Sequence, residues 1–458
     1  MNSIDIQKEF FLSGATLDVE YRIRQLRSLY NIIQIYQDQI CQALHQDLGK
    51  SRQEAYTTEV GIVLSQISHT LSNIRRWAKP RRVSTTMMQF RGRGTVIPEP
   101  YGVCLILSPW NYPFQLSISP AVAAIAAGNC VILKPSELAP ATAELLSQIF
   151  NQNFEQRFCR VITGGVEVAK SLLMQKFDYI FFTGGTKVGQ QVLEQAAKNM
   201  VPVTLELGGK SPCIVDDTAV IPIAARRIIW GKTLNSGQTC VAPDYLFVHQ
   251  KVYRQLIEAM KGCIHEFFGE HPQQCPQYPK IINQRHYDRI CSLMEGCNIL
   301  YGGEKDPEQL KIAPTLIGEP SPKHPIMEEE IFGPLLPVMP YERLEEVIDF
   351  IRQRPTPLAL YLFTRDSRVE NKVMSALRFG GGCINDTVLH LAGENLPFGG
   401  VGESGMGAYH GKTGFDTFSH EKSLLKSSSI LDLGLRYPPY DTTPRKERVI
   451  RWICSRKH

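Results

Sequence analysis

The stretch NSGQTCVAPDY, residues 235–245, contains one cysteine, Cys240, among small and polar side chains. Packing cysteines usually lie among apolar residues, whereas small neighbours let a substrate carbon approach the sulfur. Cys240 is therefore a candidate nucleophile, and the alternative is a buried structural cysteine. The nearest downstream histidine, His249, follows the apolar run YLFV. A nucleophile here would need a base other than an adjacent histidine.

Two polar residues at the ends of predicted strands could supply the missing groups. Glu206 ends the strand PVTLEL before two glycines, so its carboxylate could face a cleft and act as a general base on water. Asn111 lies in SPWNYPF, where two prolines stiffen the loop, and a fixed amide can donate to an oxyanion. The alternatives are a surface carboxylate that caps a turn and a turn-forming asparagine.

The junction FTGGTKVG, residues 182–189, joins the strand YIFF to a predicted helix. Gly184, Thr186 and Gly189 give the spacing GxTxxG, and amides at such a helix start suit a phosphate. The segment GVGESG, residues 400–405, is a literal GxGxxG, but it follows LPFGG and precedes a poor helix. A dinucleotide fingerprint requires a strand before and a helix after, so this segment is predicted to be a flexible glycine loop.

The elements that must position these groups alternate along the chain. From Gly102, the short apolar strands GVCLIL, CVILK, CRVITG, YIFFTG and PVTLEL alternate with helices. This pattern predicts an α/β fold with a parallel sheet covered on both faces, which binds ligands at the carboxyl ends of its strands. A second α/β unit begins near Lys210 and includes the Cys240 loop.

Three regions follow from these patterns. Residues 1–78, read as long helices, and 102–209 are predicted to form a dinucleotide-binding domain, and residues 210–407 a catalytic domain. Residues 79–101 are basic, β-branched and interrupted by Gly and Pro, which predicts an exposed β-hairpin arm. With residues 408–458, the arm is assigned to oligomer contacts and a basic tail.

Composition excludes several classes of protein. The chain has 458 residues and a net charge of +5, too small for a dedicated nucleic-acid binder. Its twelve cysteines include no CxxC pair, which favours reduced thiols in a cytoplasmic protein over disulfides or a metal site. We also expect neither a signal peptide nor a membrane-spanning helix, because the chain has no long apolar run.

Six ordered motifs, SPWNYPF, FTGGTKVG, LELGGKSP, NSGQTCVAPDY, EEEIFGP and LPFGGVGESGMG, resemble those of the NAD(P)-dependent aldehyde dehydrogenase family across nearly the whole chain. The short N-terminus, the APDY after Cys240 and the LRYPPY of the tail look most like the class 3, fatty-aldehyde subgroup, which is typically dimeric. The resemblance implies a Rossmann-like cofactor domain, a second α/β catalytic domain and a small β oligomerisation arm.

The family's roles carry over residue by residue. Cys240 would attack the aldehyde to give a thiohemiacetal and then a thioester. Asn111 and the Cys240 amide would hold the oxyanion, and Glu206 would activate the hydrolytic water. The implied contacts to NAD or NADP are Lys134 and Glu137 at the adenosine ribose, Gly184, Thr186 and Gly189 at the pyrophosphate, and Glu330, with Phe332 packing nearby, at the nicotinamide-side ribose. Trp110 and Leu207 are also implied to bind the cofactor. No metal is implied. On its own, Lys134 reads as a solvated lysine, and Gly185 replaces a Ser or Asn that relatives often have.

We therefore expect an aldehyde dehydrogenase that oxidises apolar aldehydes, either aliphatic chains of medium or long length or aromatic ones, to carboxylic acids. The resemblance leaves the choice of NAD or NADP open, although the Glu137 carboxylate would repel a 2′-phosphate. The alternatives are a CoA-acylating dehydrogenase, in which thiolysis needs no water-activating carboxylate, a thiol hydrolase, which generally needs a histidine base, and a non-catalytic protein with the same fold.

The tail RKERVIRWICSRKH is basic and amphipathic, with Val449, Ile450, Trp452 and Ile453 on one side. One interpretation is a helix packed at the substrate entrance or against a partner subunit of a homodimer. The other is a weak peripheral membrane contact, because the tail is too short to anchor stably.

Overall fold

The computed structural model describes residues 3–432, 434–438, 440 and 443–455. The last three residues of the tail and Pro439 of LRYPPY lie outside the described residues. The helices, in chain order, are α1 Ser3–Leu12, α2 Val19–Leu48, α3 Arg52–Ala55, α4 Gly61–Trp77, α5 Gln115–Ala127, α6 Pro140–Asn153, α7 Val166–Leu173, α8 Thr186–Lys198, α9 Ile221–Thr233, α10 Tyr253–Phe268, α11 Gln284–Ser292, α12 Pro325–Glu328, α13 Leu344–Arg352, α14 Ser367–Ala376, α15 Gly411–Thr417 and α16 Pro444–Ser455. Within the described ranges, none of them has the length and apolarity to cross a bilayer.

The strands, also in chain order, are β1 Arg81–Val83, β2 Arg93–Pro100, β3 Val103–Leu107, β4 Cys130–Lys134, β5 Cys159–Val161, β6 Tyr179–Thr183, β7 Val203–Glu206, β8 Pro212–Val215, β9 Tyr245–His249, β10 Asn298–Tyr301, β11 Lys305–Asp306, β12 Lys311–Ile312, β13 Thr315–Gly318, β14 Leu335–Tyr341, β15 Ala359–Phe363, β16 Gly381–Ile384, β17 Gly405–Met406 and β18 Ser419–Lys426. They form two large sheets, one small sheet and one short ribbon.

The first large sheet has the strand order β17-β7-β6-β3-β4-β5, and all of its pairs are parallel except β17 with β7. Strands β3, β4 and β6 are buried along their whole length, which explains their continuous apolar sequences. This sheet confirms the predicted α/β fold. Because its strands are parallel, the loops after β3, β4, β6 and β7 meet at one edge.

The second large sheet has the order β10-β13-β14-β9-β8-β15-β16. Its pairs are parallel except for the edge strand β10 with β13. The loop that contains Cys240 leads directly into the buried central strand β9, whose sequence YLFVH matches the predicted strand. The nucleophile candidate therefore sits at the amino end of a strand that is held on both sides.

The predicted hairpin is present, since β1 pairs antiparallel with β2. The structure adds a third strand, β18, which pairs with β2 from Ser419 opposite Pro100 to Lys426 opposite Arg93. The sequence SHEKSLLK did not indicate this strand, because most of its side chains are exposed and the backbone provides the pairing. The arm is therefore a three-stranded sheet built from two distant segments.

The segment 400–405 is not the flexible loop that the sequence predicted. Gly405 pairs antiparallel with Glu206 at the edge of the first sheet, and the Leu207 amide donates to Ser404 O at 3.1 Å. Gly405 has a φ of 145°, and a β-carbon there would collide with Leu205 O. Close backbone packing beside Glu206, rather than mobility, accounts for this glycine.

Candidate active site

A cavity of about 640 Å³ contains the candidate nucleophile and the candidate base. Most of its wall is apolar. Among the residues that line it are Cys240, Glu206, Leu207, Thr183, Tyr112, Thr239, Ile62, Leu116, Trp230, Phe267, Phe268, Val388, Leu391, Glu54 and His410. The structure thus brings Cys240, Glu206 and Leu207 to one surface, as the sequence predicted.

Cys240 is half-buried and follows α9 through a tight turn, Leu234–Gly237, in which Asn235 and Ser236 have φ values of 50° and 52°. Burial, followed by the carboxylates of Glu330 and Glu206, raises the pKa of the Cys240 thiol to about 12. The thiol is therefore protonated at neutral pH. A base must take its proton when the sulfur attacks a substrate.

Glu206 has the environment of such a base. Its side chain is 3% exposed, and neither carboxylate oxygen has a hydrogen-bond partner among the described residues. Burial raises the pKa of Glu206 well above its usual value, because no neighbour compensates the charge. A buried carboxylate with a raised pKa is a stronger base than a solvent-exposed one, which suits proton transfer.

Asn111 connects the loop after β3 to the loop of Cys240. Its Nδ2 donates to Gln238 O at 3.0 Å, and Asn235 Nδ2 donates to Asn111 O at 2.7 Å. An amide nitrogen has two N–H groups, so one can hold this contact while the other faces a ligand. Asn111 is 3% exposed, so its donor is fixed in place.

Several of the predicted cofactor contacts lie near the edge of the first sheet at which the loops after β3 and β7 meet. Trp110 and Phe332 meet edge to face with centroids 5.3 Å apart, and Trp110 also lies 5.0 Å from the His286 ring. The Glu330 carboxylate occupies the space that a β-carbon at Gly208 would fill. Burial raises the pKa of Glu330 to about 8, and the nearby Asp244 adds to the effect.

The predicted phosphate and ribose contacts lie after β6 and β4. Gly185 precedes α8, and a β-carbon there would meet open space, so the first amides of the helix are accessible. Gly189 packs against Leu207, where a β-carbon would lie 2.5 Å from Leu207 Cδ2. Lys134 Nζ donates to Glu137 Oε2 at 2.8 Å, so the lysine is paired and buried rather than solvated.

No role was predicted for Lys210 and Asp244 from the sequence, although both lie inside the motifs LELGGKSP and NSGQTCVAPDY. Lys210 pairs with Asp244 and donates to Ile326 O and Glu329 O at 2.8 Å each. Asp244 accepts from the Ile331 amide at 3.0 Å. Together they hold the backbone on both sides of Glu330. The sequence signal that could have indicated this role is the position of two charged residues next to the predicted glycine and cysteine motifs.

The sequence also placed no histidine near Cys240, but His410 lines the cavity. Its ring stacks on Phe398 with centroids 5.5 Å apart and contacts Tyr409 at 4.4 Å. Burial lowers the pKa of His410 to about 4. The ring is therefore neutral and a weak base at neutral pH. Among the described residues, no group of three or more His, Cys, Asp or Glu side chains could hold a metal ion.

The aldehyde dehydrogenase family model matches residues 4–424 of the chain. The chain is 48% identical to the 4,4'-diaponeurosporen-aldehyde dehydrogenase of Staphylococcus aureus, over 94% of this chain and 95% of that protein. It is 45% identical to aldehyde dehydrogenase family 3 member A2 of Pongo abelii, over 94% and 90%. For family 3 member H1 of Arabidopsis thaliana, the identity is 44% over 96% and 92%.

Solved structures show the same fold. The substrate-bound state of Staphylococcus aureus AldH superposes with a TM-score of 0.96 at 46% identity, covering 99% of both chains. The NAD+ complex of an aldehyde dehydrogenase from Bacillus cereus superposes with a TM-score of 0.85 at 25% identity, covering 93% of this chain and 88% of that one.

Proposed function

The chain belongs to the aldehyde dehydrogenase family, and from that premise we propose that it oxidises apolar aldehydes to carboxylic acids with NAD(P)+ through a covalent intermediate on Cys240. The observation that carries the proposal is the shared cavity of Cys240 and Glu206, with Asn111 tied to the nucleophile's own loop. A thiol, a carboxylate with a raised pKa and a fixed amide are the three groups that this chemistry requires.

The steps follow from the surroundings of each group. Cys240 Sγ attacks the carbonyl carbon while Glu206 takes the thiol proton, which the raised pKa of the carboxyl favours. Asn111 Nδ2 and the Cys240 amide donate to the oxyanion that forms. The oxyanion collapses to the Cys240 thioester with loss of hydride from the same carbon, and a bound nicotinamide would supply the hydride acceptor. Glu206, after losing its proton to solvent, activates the water that hydrolyses the Cys240 thioester.

The burial of the Glu206 carboxylate supports hydrolysis of the thioester rather than transfer of the acyl group to CoA. A buried carboxylate whose two oxygens have no partner among the described residues costs stability unless a ligand or a water uses it. Thiolysis by CoA needs no water-activating carboxylate, so it would leave Glu206 without a catalytic role. A thiol hydrolase would need a basic histidine, whereas the buried His410 has a pKa of about 4.

The site fits a dinucleotide, because the accessible start of α8, the Lys134–Glu137 pair and Glu330 all lie at the carboxyl edge of the first sheet. We propose that NAD is preferred over NADP. The Glu137 side chain is 38% exposed, and its negative charge would repel a 2′-phosphate. Lys134 is already engaged by Glu137, so it offers only partial compensation.

The substrate is proposed to be an aldehyde with a long aliphatic or aromatic body. The cavity wall beyond Cys240 is formed by Ile62, Leu116, Phe267, Phe268 and Leu391. Burying apolar substrate surface against them contributes roughly 25 cal/mol per Å². Each added methylene should therefore strengthen binding until the cavity is filled.

The test uses purified protein, NAD and straight-chain aldehydes from acetaldehyde to hexadecanal, with reduced cofactor measured by absorbance and products identified with and without CoA. We expect turnover that rises with chain length, a free acid in both cases, and loss of turnover in Cys240→Ala. An acyl-CoA product would favour the CoA-acylating alternative. Inactive wild-type protein or a fully active Cys240→Ala variant would contradict the proposal.

The quaternary structure and location are also proposals. β18 is an edge strand with Leu424 and Leu425 exposed, which supports pairing of the arm with a second copy in a homodimer. Helix α16 lies beside the Met87–Gln89 turn of that arm and exposes Val449 and Ile450, which fits a partner contact better than a weak membrane contact. Twelve free cysteines support a cytoplasmic location.

A further inference from the structure

A buried ion pair lies directly behind the proposed oxyanion donor. Lys50 Nζ contacts Glu59 Oε1 at 2.5 Å, and both side chains are 0% exposed. Lys50 also donates to Asn111 O at 3.2 Å, and its ammonium lies 3.9 Å from the centroid of the Tyr112 ring. Burying two charges costs several kcal/mol per ion before they pair, so a buried ion pair is a weak source of stability for a core. This cost suggests that the Lys50–Glu59 pair has a role other than stabilisation.

Glu59 holds the other half of the same loop. Its Oε2 accepts from the Phe114 amide at 2.9 Å and from the Gln115 amide at 3.1 Å. These are first-turn amides of α5, which Phe114 itself does not cap with a side chain. We call residues 108–114 the oxyanion loop. It is fixed at Asn111 by the ammonium and at its end by the carboxylate.

A second carboxylate on the same segment holds the loop of Cys240. Glu54 Oε1 accepts from the Asn235 amide at 2.7 Å. Asn235 has a positive φ, and its side chain donates to both Asn111 O at 2.7 Å and Gln238 O at 3.2 Å. We call residues 234–244 the nucleophile loop, and Glu54 fixes its first turn in this strained conformation.

Local structure explains why one segment reaches both loops. Glu54 lies on the short helix α3, and Glu59 lies on a π-helical turn, Tyr56–Val60, before α4. A π-turn inserts an extra residue and changes which face the following side chains occupy, and such turns are frequent at functional sites. The two carboxylates thereby point to different loops although they are five positions apart.

We propose that Lys50, Glu54 and Glu59 form a clamp that sets the position of the oxyanion loop relative to the nucleophile loop. The clamp residues are positioning residues: they contact no reacting atom and act through Asn111 and Asn235. This inference rests on the proposed function, since it assigns the clamp to the step in which an oxyanion forms at Cys240.

The test separates two reactions of the same sulfur. Acylation of Cys240 by p-nitrophenyl acetate forms an oxyanion, whereas alkylation by iodoacetamide does not. In the charge-neutral variant Lys50→Met/Glu59→Gln, we expect acylation and aldehyde kcat to fall about 30-fold, with alkylation of Cys240 within about twofold of wild type. The matched control is Arg52→Met, which removes the exposed Arg52–Asp38 pair of the same segment and should change neither rate.

A double-mutant cycle gives the second readout. Asn111→Ala alone should lower kcat by about 10²–10³-fold, and adding the clamp substitutions to it should cost less than about threefold more, because the clamp acts through Asn111. Should Lys50→Met/Glu59→Gln not fold, Glu54→Leu provides the same split between acylation and alkylation, and Glu54→Gln, which keeps an acceptor for Asn235, should restore acylation.

The proposals fail in different ways. Wild-type protein that oxidises no aldehyde overturns the proposed function, and the clamp with it. Wild-type turnover combined with equal losses of acylation and alkylation in the clamp variant, or with fully additive losses in the Asn111→Ala background, overturns the clamp alone.

Discussion

Asn111 Nδ2 donates to the main-chain oxygen of Gln238 at 3.0 Å, so the proposed oxyanion donor is tied to the loop that presents Cys240. The donor is positioned before substrate arrives, and preorganised donors of this kind lower the barrier without reorganisation during the reaction. The contact also means that the two loops cannot move independently.

Removing this donor should reduce catalysis far more than binding. Asn111→Ala is expected to lower kcat by about 10²–10³-fold while the aldehyde KM changes by less than about threefold, as measured by steady-state kinetics. The control is Asn73→Ala, an asparagine whose amide donates to a helix carbonyl at His69. A loss confined to KM would contradict the assignment of Asn111.

The raised pKa of the Cys240 thiol should be visible in the pH dependence of its alkylation. Because burial, Glu330 and Glu206 raise the pKa of Cys240 to about 12, its alkylation by iodoacetamide should still be accelerating at about pH 10. Above about pH 8, where Glu330 is ionised, Glu330→Gln removes a negative charge that opposes ionisation of the thiol, so it should lower the Cys240 pKa and speed alkylation severalfold. Mass spectrometry of the Cys240 peptide gives the rate. The neighbouring Glu329→Gln is the control, and a rate that levels off below about pH 8 would be inconsistent with this environment.

Cofactor preference should depend on Glu137. Replacing it with glutamine removes the charge that would face a 2′-phosphate and releases Lys134 from its ion pair. We expect kcat/KM with NADP to rise about tenfold, equivalent to about 1.4 kcal/mol, and kcat/KM with NAD to fall slightly. Glu167→Gln, which breaks the exposed Lys170–Glu167 pair of the same spacing, should leave both values unchanged. Equal discrimination between NAD and NADP in the wild type and Glu137→Gln would exclude Glu137 as the source of the preference, and a wild type that prefers NADP would refute the preference for NAD itself.

Gly189 should matter for the cofactor more than for stability. A β-carbon there would displace Leu207, which costs about 1–3 kcal/mol, but alanine also favours the helix by about 1 kcal/mol. Gly189→Ala should therefore lower the unfolding free energy by at most about 2 kcal/mol and raise the NAD KM severalfold through the moved Leu207. Gly262→Ala lies in helix α10 with open space around the new methyl group, and should stabilise the protein with an unchanged KM. An unchanged NAD KM in Gly189→Ala would exclude Leu207 as a contact.

The fold and the site's location could be predicted because they depend on local patterns. Continuous apolar strands indicate a parallel sheet, and loops after parallel strands must meet at one edge. That argument places Asn111, Glu137, Gly184 and Glu206 together before any coordinates are known. The chemical roles of these residues remain predictions until the variants are measured.

The features that could not be predicted depend on long-range contacts, which leave no local pattern in the sequence. Lys50 and Glu59 look like surface charges of an amphipathic helix. Their burial depends on the π-turn and on the loop of Asn111, which lies 61 positions after Lys50. The strand β18 and the packed Gly405 are fixed by backbone pairing, which any side-chain sequence can satisfy. His410 enters the cavity from a segment whose sequence is polar and glycine-rich.

The central claim is that substrate carbon becomes covalently bound to Cys240 and that Glu206 is needed to release it. The most direct measurement is mass spectrometry of Glu206→Gln after prolonged incubation with decanal and NAD at about pH 9, where hydroxide can take the thiol proton in place of Glu206, followed by peptide mapping. The account predicts a decanoyl group on the peptide that contains Cys240, absent when NAD is omitted and absent in Cys240→Ala/Glu206→Gln. A decanoyl group on another cysteine, or an unmodified Glu206→Gln protein that produces decanoic acid at the wild-type rate, would contradict it.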